Sequence, residues 1–390
     1  MMLIEEITLH QFDADRWVVH TPQERNFLVN RATYQLILVL QNCGNAVEAV
    51  VAFNKQFQTS LNSQQFEQLI AEKLGGYHIL KNDEEPEKPT LKNQYLKLKV
   101  ELINARWAGW LSKPFQVFYS PKVFWWVLVA AVLIVANAYF MKNNALTLTG
   151  INYPLFFGLV YSAMLVHELG HIGACAKYGL KHGGIGFGFY FVLPVMYADI
   201  TNIWLANKER RIITNMGGIF SELLYSTVLV LLFFLTQNLT FYAAGISIAL
   251  FVVWEFNPFV RFDGYWILSD LTNTPNLIQK SKNVLGQTVS NISKGLLPKI
   301  ERKNVWLLVY GFLNTLFFIL FMGATVYSLH ESIISFPVVL FNLLKKWFSG
   351  HFDLSPVSRS FLFIATFYLL VIRFLIQKTS LSWLKRVGQV

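Results

Sequence analysis

The chain has 390 residues, 54% of them hydrophobic and only 14% charged, with 34 Phe and 11 Trp. Ordinary soluble domains carry roughly 25% charged residues, so this composition excludes a purely soluble chain and fits a multi-pass membrane protein. The net charge of +10 suits basic loops kept on the cytoplasmic side rather than nucleic-acid binding, because no basic cluster is interleaved with a nucleic-acid motif.

Residues 1–80 read as a small soluble domain. "RWVVH" and "NFLVN" have strand character, while "ATYQLILVLQNCG" and "SQQFEQLIAEKLGG" are helix patterns that end at glycine. The first residues lack a basic leader followed by an apolar core, so no cleaved signal peptide is expected. Two cysteines, Cys43 and Cys175, make no disulfide framework. "NDEEPEKPTLKN" (82–93) is a charged, proline-containing linker. The stretch after it mixes Trp107, Trp110 and Phe115 with lysines, a membrane-interface composition. Residues 81–121 are therefore connecting and interfacial.

Six apolar spans follow, at about 123–140, 151–176, 212–235, 239–256, 305–329 and 360–377, each near the roughly 20 residues needed to cross a bilayer. The run "ISFPVVLFNLLKKW" (334–347) is too short to assign and makes a seventh span only if it crosses. Lysines and arginines collect in loops 177–211 (among them Lys208, Arg210 and Arg211) and 261–304 (Arg261, Lys280, Lys282), whereas the alternate loops hold only Lys142. Both basic loops and the N terminus therefore belong in the cytoplasm. The expected fold is an all-α polytopic membrane bundle of about six transmembrane helices, with a small N-terminal α/β winged-helix-like cytoplasmic domain. Residues 122–275 form its core, 276–304 a cytoplasmic loop and 305–390 the C-terminal helices and basic tail. "GGIGFGFYFVLPVMYADI" (183–200) adds a short membrane-associated β hairpin whose edge can accept an extended peptide.

Within the second span, "HELGH" puts His167 and His171 four residues apart on one helix face, with Glu168 beside them. Given 8 His and the glutamates of this chain, the pattern is expected about 0.007 times by chance. A catalytic zinc takes three protein ligands and an open position. Cys175 lies eight residues past His167, about 12 Å along a helix, too far to share the ion. Asp263 is the better candidate: it follows "EFNP", where Pro258 disfavours helix at Asn257 and opens a cavity wall. Counted from their outer ends, His167 and Asn257 lie about 24 and 27 Å deep, so the two motifs meet at one level near the cytoplasmic side.

The pairing of "HELGH" with "NPFVRFDG" resembles the site-2 protease family of intramembrane zinc metallopeptidases. "LPVMYADITNIW" and "RFDGYWILSD" are similar to its bacterial peptide zinc metalloprotease branch. The resemblance covers about residues 95–275. It implies one Zn2+ per chain held by His167, His171 and Asp263, Glu168 as the catalytic glutamate, and Asn257 as a holder of substrate or transition state. One departure is "NMGGIFSELL", which keeps Gly217 and Gly218 but lacks the family's proline and carries Glu222 at mid-membrane. A carboxylate there is costly and functional by default, so Glu222, and Glu255 beside the break, are candidates to support the ligands.

Residues 5–80 resemble the PqqD-like precursor-peptide recognition domain, a small winged helix, through "FLVNRATYQLILVLQNCGNAVEAVVAFNKQF". Such domains bind the leader of a ribosomally made peptide along a strand edge. Together the resemblances imply an endopeptidase of the bacterial cytoplasmic membrane that processes a peptide precursor, with an ABC-type exporter or a peptide-modifying enzyme as partner. Two rivals stay open: a non-proteolytic peptide exporter or immunity protein, and a protease that cuts a transmembrane regulator.

Overall fold

The computed structural model describes residues 7–22, 25–77, 79–80, 96–142, 150–190, 193–296 and 301–349, with 361, 364–365, 367–369 and 372. The linker expected at 82–93 lies outside the described residues, and the span expected at 360–377 lies largely outside them. Two compact units divide the chain, Met1–Asn276 and Leu277–Val390.

The first unit opens with β1 (Thr8–Gln11), β2 (Arg16–His20) and β3 (Asn26–Asn30), an antiparallel sheet in that order. The expected strands are β2 and β3. Three helices follow: α1 (Arg31–Asn42), α2 (Ala46–Phe57) and α3 (Ser63–Leu74). Each begins at an asparagine, Asn30, Asn45 or Asn62, whose side chain accepts a first-turn backbone N–H, satisfying a donor that the helix itself leaves unpaired. Their apolar faces close on one core containing Val19, Val29, Ile37, Phe66, Ile70 and Leu74. Full burial of each such large side chain contributes roughly 1.5–3 kcal/mol.

β4 (Leu96–Ile103) comes next, from the segment expected to be connecting, and pairs antiparallel with β5 (Ile185–Tyr190), which pairs with β6 (Leu193–Ala198). The expected hairpin is thus two strands of a three-stranded sheet. Lys97, Lys99 and Glu101 alternate with apolar residues in β4, a pattern easily read as charged linker. α4 (Ala105–Leu111) and a 3-10 segment, Lys113–Tyr119, lead into the bundle. Trp107 and Trp110 on α4 are exposed, as an interfacial helix would have them.

α5 (Pro121–Lys142), α6 (Tyr153–Lys177) and α8 (Gly217–Thr236) are long and apolar enough to cross a membrane; α9 (Leu239–Glu255) is shorter and equally apolar. α8 is central and packs on α5, α6 and α9. The third expected span starts later than its hydropathy suggests. A separate helix, α7 (Lys208–Asn215), ends at Met216 before α8 begins at Gly217, because α8 must pass α6 at glycine contact. A Cβ on Gly170 of α6 would lie 2.2 Å from the Gly217 carbonyl oxygen, so only glycine permits this crossing. After α9, residues 256–262 leave helical geometry at Asn257–Pro258, and α10 (Asp263–Leu271) resumes it.

The second unit holds α11 (Leu277–Ser293) and α12 (Val305–Phe348), where the expected span 305–329 and the unassigned run 334–347 form one 44-residue helix. Polar "SLHES" between them carries no proline or glycine, so polarity interrupts the hydropathy without interrupting the helix. Pro337 sits inside it and cannot donate to the carbonyl four residues back. That carbonyl, Ile333 O, accepts instead from the Tyr368 hydroxyl at 2.9 Å, while Tyr368 stacks on Phe336.

Candidate metal centre

Three elements converge on one cluster: α6 supplies His167 and His171, α8 passes against them, and α10 begins with Asp263. His167 Nε2 and His171 Nε2 are 3.1 Å apart, and Asp263 Oδ2 lies 3.3 Å from the first and 3.2 Å from the second. Ligand atoms around a tetrahedral ion at about 2.0–2.1 Å stand about 3.3–3.4 Å from one another. The triangle thus has the size such an ion requires.

Two further observations support a metal fit. Asp263 Oδ2 is buried without a hydrogen-bond partner, a costly condition unless another group satisfies it. Gly218 supplies the space: a Cβ there would stand 2.4 Å from His167 Nε2 and 2.5 Å from His171 Nε2. Any larger residue would contest the volume in front of the donor nitrogens.

The far nitrogens of both rings are also engaged. His171 Nδ1 lies 2.8 Å from the Thr214 carbonyl oxygen at the end of α7. An acceptor on one ring nitrogen assigns the proton there and presents the other nitrogen to a metal. His167 Nδ1 faces two carboxylates, 3.4 Å from Glu222 Oε2 and 3.5 Å from Glu255 Oε2. Glu222 is 2% exposed and is the one charged residue of α8, so the two acidic residues expected near the ligands converge on one imidazole. That nitrogen and the two carboxylate oxygens also lie close enough to one another to form a second donor group of three.

Glu168 is buried next to this cluster, and its carboxylate has the backbone of Ala198, the last residue of β6, as a polar neighbour. Leu169 and Ile172 of α6 pack with Ile185, Met196 and Ala198, seating the sheet against the same helix. Asn257 stands in the break, where its Oδ1 accepts from Phe259 N–H at 2.9 Å in a tight turn. Gly264, just after Asp263, presses on Phe256: a Cβ there would lie 2.2 Å from the Phe256 carbonyl oxygen. The Asp-Gly pair therefore allows α10 to start immediately beneath α9. Cys175 is buried away from the triangle, its Sγ near the Leu180 carbonyl. Asp199 accepts from Thr201 within its own loop.

Sequence reasoning missed the Thr214 carbonyl, which has no residue-type signature, and the role of Gly218, visible in the sequence only as a small residue. It also used Arg211 solely as a loop charge. In the structure Arg211 is 1% exposed and pairs with Asp270 at 2.7 Å, while Asn215 donates to the same carboxylate at 2.6 Å. Burial raises the Asp270 carboxyl above the usual carboxylate range, against the pull of Arg211 and Asn215.

Comparison with known proteins gives one informative similarity. The protein YydH of Bacillus subtilis (strain 168), whose name provisionally assigns it as a peptide zinc metalloprotease, is 26% identical over 168 residues, 40% of this chain and 65% of the relative. The chain thus spans just under two thirds of that protein's length. No family model matches the chain, and no solved structure matches it. That similarity is to a protein named for zinc, the ion whose ligand spacing the donor triangle matches.

Proposed function

We propose that this chain is a zinc-dependent endopeptidase of the bacterial cytoplasmic membrane, its N terminus in the cytoplasm, that processes a small ribosomally synthesised peptide precursor. The observation that carries the reading is the triangle of His167, His171 and Asp263 donor atoms, 3.1 to 3.3 Å on a side, with Glu168 buried beside it. These three residues would hold one zinc ion. Bound there, zinc supplies Lewis-acid polarisation of a peptide carbonyl and acidifies a water to near neutral pH.

The remaining steps belong to the chain's own side chains. Glu168 takes the water proton as the oxygen–carbon bond forms, and gives it to the departing amine nitrogen as the carbon–nitrogen bond breaks. Thr214 O, with Glu222 and Glu255, holds the two imidazoles by their Nδ1 atoms, so that both Nε2 atoms stand beside Asp263 Oδ2, where they would hold zinc. Asn257, its Oδ1 already used by Phe259 N–H, offers its Nδ2 donors to the substrate. Proteolysis needs extended backbone. β6, an outer strand of its sheet seated on α6 beside Glu168, is suited to align such a segment by strand addition.

A PqqD-like leader-binding role for the N-terminal sheet and helices is supported by β3 being an outer strand of its sheet. A cytoplasmic precursor bound there reaches a site near the cytoplasmic side without crossing the bilayer. An ABC-type exporter or a peptide-modifying enzyme is the partner this arrangement suits. The test is Glu168→Gln in the full chain: zinc content stays at one per chain and precursor cleavage disappears. Undiminished cleavage by that variant would end the enzymatic reading, and a wild-type chain that takes up no zinc would favour a peptide-binding protein.

A further inference from the structure

Among the described residues, the N-terminal sheet meets the rest of the first unit at an aromatic side chain, Phe12, and at two polar ones, Arg16 and Asn26. Phe12, in the turn between β1 and β2, is 4% exposed, and its ring stacks on Trp204 with centroids 5.7 Å apart. The guanidinium of Arg211 lies 3.9 Å from the same ring centroid, within range for a cation–π contact. Arg16 also approaches that ring, at 5.2 Å, and donates to the Asn273 carbonyl at 2.6 Å.

Arg211 has little else on that side. Its Nε donates to Asp270 Oδ1 at 2.7 Å and its Nη1 to Ala206 O at 2.9 Å, but Nη2 is buried without a hydrogen-bond partner. Phe12 therefore supplies the electrostatic cover for the unsatisfied edge of a buried cation. Asp270, clamped from the other side by Asn215 Nδ2, sits about two turns after Asp263 on α10. Arg211 and Asn215 lie on α7, next to Thr214, whose carbonyl orients His171. One buried ion pair thus joins the helix that starts with Asp263 to the helix that steers His171.

We propose that Phe12 and Arg211 are positioning residues for the metal centre, so that docking of the N-terminal domain through Phe12 sets the placement of His171 and Asp263. The inference rests on the zinc reading above and adds that the domain acts on the site itself besides capturing a peptide. Without the aromatic face, Arg211 is rehydrated on one edge and its hold on Asp270 loosens. α10 and α7 then relax independently, and the triangle spreads.

The experiment uses the full chain in detergent, with zinc affinity measured against a chromophoric chelator and the ligand-field spectrum of the cobalt-substituted protein as a second readout. Phe12→Leu keeps the apolar fill but removes the ring, and should weaken zinc binding about threefold to tenfold and shift the cobalt bands. Phe12→Tyr, which keeps the ring, should restore both. Arg211→Lys, which loses the forked contact, should cost about tenfold or more. A domain that only tethers substrate would leave zinc affinity and the cobalt spectrum of Phe12→Leu unchanged, and that result overturns the inference alone. If the wild-type chain binds no zinc, the proposed function fails first and the inference with it.

Discussion

Gly218→Ala probes the metal centre without removing a polar atom. The new methyl would stand 2.4 Å from His167 Nε2 and 2.5 Å from His171 Nε2, whereas ordinary contact begins near 3.4 Å. One partner must therefore move by about 1 Å. His171 is held at its other nitrogen by Thr214 O at 2.8 Å, and α8 is fixed by the Gly170–Gly217 contact one residue away, so neither yields freely. A displacement of that size is half of a zinc–nitrogen bond of about 2.0–2.1 Å. Overpacking of this kind costs about 1–3 kcal/mol, or about 5- to 150-fold in zinc affinity if the strain falls on the site. Alanine in a helix gains up to about 1 kcal/mol over glycine, so the fold should survive. Gly158→Ala on α6, where nothing lies within 4 Å, is the control and should leave zinc affinity unchanged. Competition titration of zinc in detergent, with thermal unfolding in parallel, reads both effects. Wild-type zinc affinity in Gly218→Ala would refute the placement of an ion in front of these nitrogens.

Asp263→Asn should lower zinc occupancy at least tenfold, measured as metal content after dialysis, because it removes the only anionic member of the triangle while keeping its shape. Tyr119→Phe should cost about 1–3 kcal/mol of stability by thermal unfolding, since the buried hydroxyl lies 2.7 Å from Ser221 Oγ and donates to the Gly217 carbonyl at 3.2 Å. Acid should loosen the Phe12 turn. Partial burial pushes the Asp13 carboxyl up, but hydrogen bonds from Arg16 and the backbone outweigh it and hold the group below its usual value. The stabilisation from Asp13 is therefore complete above about pH 4 and is lost as pH falls through the lowered value. The denaturant midpoint should drop as pH falls below about 4, and Asp13→Asn should flatten that part of the curve.

Much of the site was legible because its chemistry is written in side chains that an apolar span tolerates poorly. His167, Glu168 and His171 stand out for that reason, and Pro258 marks the break that brings Asp263 to them. The helices at 31–42 and 63–74 were equally readable, from apolar patterns that end at glycine. β4 was not, because a strand paired to a segment over 80 residues away leaves only its own alternation, and lysines masked that. Thr214 acts through its carbonyl and Gly218 through the absence of a side chain, so neither carries a compositional signal. α12 was split by reading hydropathy as helicity, although Tyr368 repairs the one bond that Pro337 removes.

The pairing of β4 with β5 also constrains any membrane placement, by a route independent of charge counting. α5 and α6 are the two long apolar helices between these strands, and strands hydrogen-bonded to each other lie on one side of a bilayer. The proposed spans α5 and α6 must therefore cross together or not at all, which keeps the segment before α5 on the same side as the segment after α6. Chain order adds a second consequence: β4 leaves the ribosome before α5 and α6, and its partner strands emerge only after both. The sheet beside Glu168 can thus close only after the helix that carries the donor histidines is in place.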